Sequence, residues 1–156
     1  MGETYNMLNL GVCSAVGQTA LWRLQNGELE GYKAKAFALT IGTNDGGGER
    51  AANGVRDIID TIRAKHPESK VILMPIFPRS EKPTDKARLN NEKANEIIRG
   101  FADGKTVIWL DFNDKFLAPD GTLTREIMGD LLHPTERGYR IWCDAITPVL
   151  KEICGK

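Results

Sequence analysis

Ala36-Phe37-Ala38-Leu39-Thr40-Ile41-Gly42-Thr43-Asn44-Asp45 is the stretch on which the fold turns. Six residues run without a charge and stop at a glycine. A nearly continuous apolar run of strand length suits a strand covered on both faces, as a parallel sheet requires. The polar Thr43-Asn44-Asp45 and the glycines Gly46, Gly47 and Gly48 then make a loop at its carboxyl end.

Reading forward, Glu49–Lys65 places Val55, Ile58, Ile59 and Ile62 at helical spacing, and His66-Pro67 ends that helix. Val71–Ile76 reads as the next strand, followed by the polar loop Pro78–Thr84. Asp85–Phe101 reads as a second amphipathic helix, with Leu89, Ala94, Ile97 and Ile98 expected to face inward. Asp103-Gly104 turns the chain into the strand Thr106–Leu110, with Asp111 at its carboxyl end. A long connection, Lys115–Asp130, leads to a closing helix over Thr135–Ile153, which Pro148 is expected to kink. Reading back, Met7–Val12 suggests a first short strand, Cys13–Gly17 a turn, and Gln18–Asn26 a helix stopped by Gly27.

The order is βαβαβαβα, which implies an α/β fold: a three-layer sandwich whose parallel sheet has helices on both faces. In such folds ligands gather beyond the carboxyl ends of the strands. The loops there are Cys13–Gly17, Gly42–Gly48, Phe77–Thr84 and the connection from Asp111 to His133.

The chain has 156 residues, which suggests one domain over 1–156 that needs no disulfide or metal staple. Formal net charge is zero and no basic residues cluster, which argues against a nucleic-acid partner. No stretch is apolar and long enough to cross a membrane. Met1–Tyr5 lacks the basic and apolar regions of a signal peptide, so a cytoplasmic location is the default unless a leader has been removed. Cys13, Cys143 and Cys154 are an odd set without motif spacing, expected as reduced thiols. Two distant histidines and scattered cysteines give no metal-ligand spacing, and no cofactor is implied. Gly42–Gly48 lacks the Gly-Lys-Ser/Thr ending of a phosphate loop. His66 is expected to be solvated, and Trp22, Trp109 and Trp142 to be packing residues.

The candidate chemistry lies in Asp130-Leu131-Leu132-His133-Pro134. A carboxylate three residues ahead of a histidine can take the Nδ1 proton and leave Nε2 as a base near neutral pH. The plain structural alternative is an aspartate capping the closing helix, with a histidine packed at its start.

Two blocks together resemble a known family. Ile41-Gly42-Thr43-Asn44-Asp45 resembles the third block of the SGNH (GDSL-like) hydrolases, and Asp130–Pro134 their fifth. Pro75-Ile76-Phe77-Pro78-Arg79, Asn90-Asn91-Glu92-Lys93-Ala94-Asn95 and Leu21-Trp22-Arg23-Leu24-Gln25-Asn26-Gly27-Glu28-Leu29 resemble the branch related to platelet-activating-factor acetylhydrolase catalytic subunits. The resemblance implies a flavodoxin-like sheet and a serine-type esterase without a cofactor, acting on a small or carbohydrate-borne acyl ester. It makes His133 the base, Asp130 its orienting partner, and Asn44, with Gly42 beside it, part of the oxyanion site.

The family's first block, which carries the nucleophilic serine on a central strand, has no counterpart in this sequence. The second-block glycine aligns with Ser14, preceded by Cys13. Three alternatives follow. The protein could be a catalytically inactive member acting as a binding or assembly partner. The missing strand could come from another chain, which implies a homo-oligomer with strand exchange. Or Leu8–Val12 could occupy the vacated place and bring Ser14, or Cys13, to His133. In either of the first two cases Ser14 could still offer its backbone amide to an oxyanion.

Overall fold

The computed structural model describes residues 5–155. Its sheet has three parallel strands, β1 (Ala36–Leu39), β2 (Lys70–Leu73) and β3 (Val107–Trp109), in the spatial order β1-β2-β3. Phe37 lies opposite Val71, and Leu73 lies between Leu39 and Trp109.

The alternation of side chains along β2 builds the three layers. Val71 and Leu73 join one core with Val55, Ile58, Ile59 and Ile62 of α2 (Gly48–Lys65) and Ala94 and Ile98 of α3 (Lys86–Arg99). Ile72 and Met74 join the other core with Phe112, Phe116, Leu123, Met128 and Ile146 of α4 (Glu136–Cys154). Successive residues of a strand point to opposite faces, so one buried strand ties both cores together. Each fully buried isoleucine of α2 contributes about 1.5–3 kcal/mol relative to exposure. Helices on both faces of a parallel sheet agree with the fold expected from the sequence.

The short helix α1 (Gly17–Arg23) crosses α2 where Gly17 meets Gly54: a Cβ on Gly17 would lie 3.2 Å from the Gly54 Cα. The helix α4 starts at the cap Thr135, runs through Pro148 to Cys154, and ends on Gly155 in the left-handed conformation. Among the described residues no helix is long and apolar enough to cross a membrane.

Several expectations are corrected. Residues 7–12 form no strand: Met7, Leu8 and Val12 are exposed, and the segment is held instead by Arg23, whose guanidinium donates to the Leu10 carbonyl at 3.1 Å. A strand needs a ladder partner for its backbone, and here none is at hand. With no strand ahead of it among the described residues, β1 is an edge strand; its faces meet both cores, through Phe37 and Leu39 on one side and Ala36 on the other, while Ala38 is exposed. On α3, Leu89 and Ile97 are 42% and 38% exposed, while Arg88 and Asn91 are buried in their stead.

His66 is buried rather than solvated. Its Nε2 lies 2.8 Å from the Leu29 carbonyl, and its ring stacks on Tyr32 and meets the edge of Phe37. Trp22 is exposed, whereas Trp142 packs against Phe77 and points its indole N–H at the Met74 sulfur, 3.1 Å away. The three cysteines are free thiols.

Candidate active site

The Asp130–His133 loop is anchored before it begins. Met128 and Pro134 bridge across its base, and the Thr135 N–H donates to the Ile127 carbonyl at 2.9 Å. The Thr135 hydroxyl donates to the Glu126 carbonyl at 2.6 Å and accepts from the Gly138 N–H at the start of α4. Thr135, not Asp130, therefore caps α4, so the aspartate is not a helix cap.

Asp130 folds back on its own loop. Its Oδ1 accepts from the amides of Leu132 (3.0 Å) and His133 (2.7 Å), and its Oδ2 lies 2.7 Å from His133 Nδ1. The His133 amide first, and the imidazole next, hold this carboxyl well below the usual carboxylate range. An ionised Asp130 fixes the proton on Nδ1 and leaves the Nε2 lone pair available. The His133 side chain is 73% exposed, and Nε2 makes no hydrogen bond to any described residue. The turn requires Leu131 to take φ 62°, a left-handed conformation that costs a non-glycine residue about 1–3 kcal/mol.

The second part of the site follows β1. Gly42 takes φ 122°, and a Cβ there would come within 2.8 Å of Ile76 Cδ1, so this turn admits only glycine. Asn44 is exposed and donates one amide hydrogen to the Ala15 carbonyl at 3.2 Å. Its other amide hydrogen makes no hydrogen bond to a described residue. The buried Asp45 carboxylate accepts from the Gly17 N–H through both oxygens, at 3.1 and 3.0 Å. The loop after β1 and the loop holding Ser14 are thereby tied together. Ser14 is exposed at φ 59°, with its Oγ 3.7 Å from Cys13 Sγ and no hydrogen bond to His133.

Thus His133 meets Asp130, and Asn44 meets the Ser14 loop, while no hydrogen bond joins the two pairs. Among the described residues no group of three or more His, Cys, Asp or Glu is placed to hold a metal ion.

A polar stripe on α3 carries the loops between these parts. Asn95 accepts from the Ile76 N–H at 2.7 Å and donates to the Ile76 carbonyl at 2.9 Å. Asn91 donates to the Thr43 hydroxyl and the Phe77 carbonyl, each at 3.2 Å. Arg79 donates to the Thr43 carbonyl at 3.0 Å. Residues 88, 91 and 95 share one helix face by their i, i+3, i+7 spacing. That spacing was the available signal, hidden because a search for apolar periodicity passes over polar residues. Beside Asp130 opens a cleft of about 380 Å³, lined by Arg79, Glu81, Asp85 and Leu132 among others.

Comparison with known proteins supplies the family. The profile of the GDSL-like Lipase/Acylhydrolase family matches residues 2–141. Platelet-activating factor acetylhydrolase IB subunit alpha1 of Pongo abelii is 32% identical over 152 residues, 96% of this chain and 65% of that protein. The alpha2 subunit of Rattus norvegicus is 32% identical over 149 residues, 94% of this chain and again 65% of the relative. The chain thus spans a little under two thirds of these relatives.

A GDSL-like lipase structure from Bacteroides thetaiotaomicron superposes with a TM-score of 0.79 at 18% identity, covering 96% of this chain and 78% of that one. An acetylxylan esterase from Geobacillus stearothermophilus gives 0.72 at 18% identity, covering 94% and 71%. At such identities these structures carry the fold alone. The chain belongs to the GDSL-like lipase/acylhydrolase family, within the SGNH hydrolase superfamily and on its platelet-activating-factor-acetylhydrolase-like branch.

Proposed function

We propose that this chain supplies the base and oxyanion site of a serine-type carboxylic-ester hydrolase acting on a small or carbohydrate-borne acyl ester. The observation that carries this reading is the 2.7 Å contact between Asp130 Oδ2 and His133 Nδ1, with Nε2 unengaged. In the reaction, Nε2 takes the proton of a serine hydroxyl as its oxygen attacks the ester carbonyl. Asp130 stabilises the imidazolium that results. The Asn44 amide and the Ser14 backbone N–H donate to the oxyanion, and His133 then hands its proton to the leaving alcohol. Water repeats the cycle on the acyl-enzyme and releases the acid.

Because residues 8–12 form no strand, Ser14 loses the route that would present it as nucleophile, and its amide is the role we assign. The attacking serine then comes from another chain, added at the open edge of β1. Strand exchange with a second copy of this chain would make the protein a homo-oligomer. A second reading, a member that binds an ester or a partner without turnover, is favoured by one fact. No described hydroxyl is hydrogen-bonded to Nε2.

Incubation with a fluorophosphonate probe and p-nitrophenyl acetate, followed by peptide mapping, separates these. Turnover that disappears in His133→Ala supports the hydrolase. An adduct on Ser14 makes that residue the nucleophile. Neither turnover nor adduct leaves the binding reading.

A further inference from the structure

Arg88 is 1% exposed, and its guanidinium forms no salt bridge with a described carboxylate. It donates only to backbone carbonyls: Nε to Arg79 at 2.9 Å, Nη2 to Ser80 at 2.8 Å, and Nη1 to Gly121 at 3.4 Å. Burial disfavours this charge, and Glu92 and Asp85 offset that only from beyond salt-bridge distance, so its placement asks for a reason.

The carbonyls it holds belong to a strained segment. Ser80 takes φ 65° and Leu131 takes φ 62°, both left-handed and neither a glycine. The Ser80 N–H donates to the Leu131 carbonyl at 2.9 Å, so one hydrogen bond links the two strained residues. Left-handed conformations at such residues persist only where their surroundings over-determine them. On the Ser80 side the over-determination is Arg88. On the Leu131 side it is the Met128 carbonyl, which accepts from the Leu131 N–H at 2.8 Å. Leu131 follows Asp130 directly, and its turn aims the carboxylate at the amides of Leu132 and His133 and at the imidazole.

We propose that Arg88 is a positioning residue for His133, acting through Ser80 and Leu131 to hold Asp130 against Nδ1. The inference rests on His133 being the base. The fork-shaped guanidinium suits this task, since its donors diverge in one plane toward carbonyls of two chain segments. A lysine offers one ammonium and cannot span the same set.

The test reads the imidazole itself. In protein labelled with 15N-histidine, long-range 1H–15N spectra report the tautomer of each ring. His66, bonded to Leu29 and far from α3 in the hydrogen-bond network, serves as the internal control. In the wild type His133 is expected as the Nδ1–H tautomer alone.

In Arg88→Met the His133 pattern is expected to become a mixture with the Nε2–H form, with His66 unchanged. Arg88→Lys keeps the buried charge, is the safer variant to fold, and is expected to give a smaller shift in the same direction. If Arg88→Met does not fold, Arg88→Lys decides. A wild-type His133 pattern in whichever variant folds overturns the proposal. Failure of the hydrolase reading looks different: no turnover from a wild type whose His133 is fully Nδ1–H would remove that reading and leave Arg88 in its role.

Discussion

His133 and Asp130 meet at 2.7 Å although their side chains are 73% and 59% exposed, so the contact is held by the loop and not by burial. Solvent screening makes such an exposed pair a poor source of stability, and its value is orientation. Asp130→Asn should keep the loop's amide contacts yet leave the imidazole in the wrong tautomer, lowering any esterase kcat by roughly 10³–10⁴-fold. Asn44→Ala should lower it by about 10²–10³-fold through loss of an oxyanion donor.

The pH dependence has a definite sign. The folded Asp130 carboxyl lies below its unfolded value, near 3.9 for a free aspartate. Its contribution to loop order is therefore complete above about pH 4 and is lost as pH falls through the lower folded value. A 13C titration of the Asp130 carboxyl should show a midpoint below that of ordinary aspartates, and Leu132→Pro, which removes one amide donor, should raise it. A midpoint in the ordinary range would contradict the geometry.

The elements explain why this loop and the Asn44 loop stand where they do. Helix α3 turns a polar face inward, and Asn95 takes up the backbone N–H of the buried Ile76. Asn95→Ala leaves that N–H without its partner and should cost about 1–3 kcal/mol in urea unfolding. Gly138, in the first turn of α4, has no room for a side chain. A Cβ there would lie 2.5 Å from the Ile127 carbonyl and 2.9 Å from Pro134. Gly138→Ala should destabilise by about 1–3 kcal/mol and disturb the base of the Asp130–His133 loop.

Much of this architecture was legible in the sequence. The apolar period of Val55, Ile58, Ile59 and Ile62 marks α2, the uncharged run of residues 36–41 marks β1, and the spacing of Asp130 and His133 marks their contact. Two features were not legible, for physical reasons. Whether residues 7–12 form a strand depends on a ladder partner, which no local pattern encodes. That Arg88 and Asn91 are buried depends on which loop carbonyls α3 meets, and single-residue hydropathy places both outside.

At the scale of the whole molecule, the sheet ends on one side at β1, whose outer edge has no partner among the described residues. Open edges invite another strand. The exposed Met7, Leu8 and Val12 add apolar surface among the residues ahead of β1. Light scattering of the purified protein is expected to give a dimer or larger species, and a clean monomer would count against strand donation. The same edge bears on the chemistry, because a strand joining there is our route for a serine to reach Nε2.

The most direct test compares p-nitrophenyl acetate hydrolysis by the wild type and by Asp130→Asn, each confirmed folded. A wild-type kcat/KM that falls by about three orders of magnitude or more in the variant is the expected result. Wild-type turnover no faster than buffer, or two proteins of equal activity, would contradict the assignment of His133 and Asp130 to ester hydrolysis.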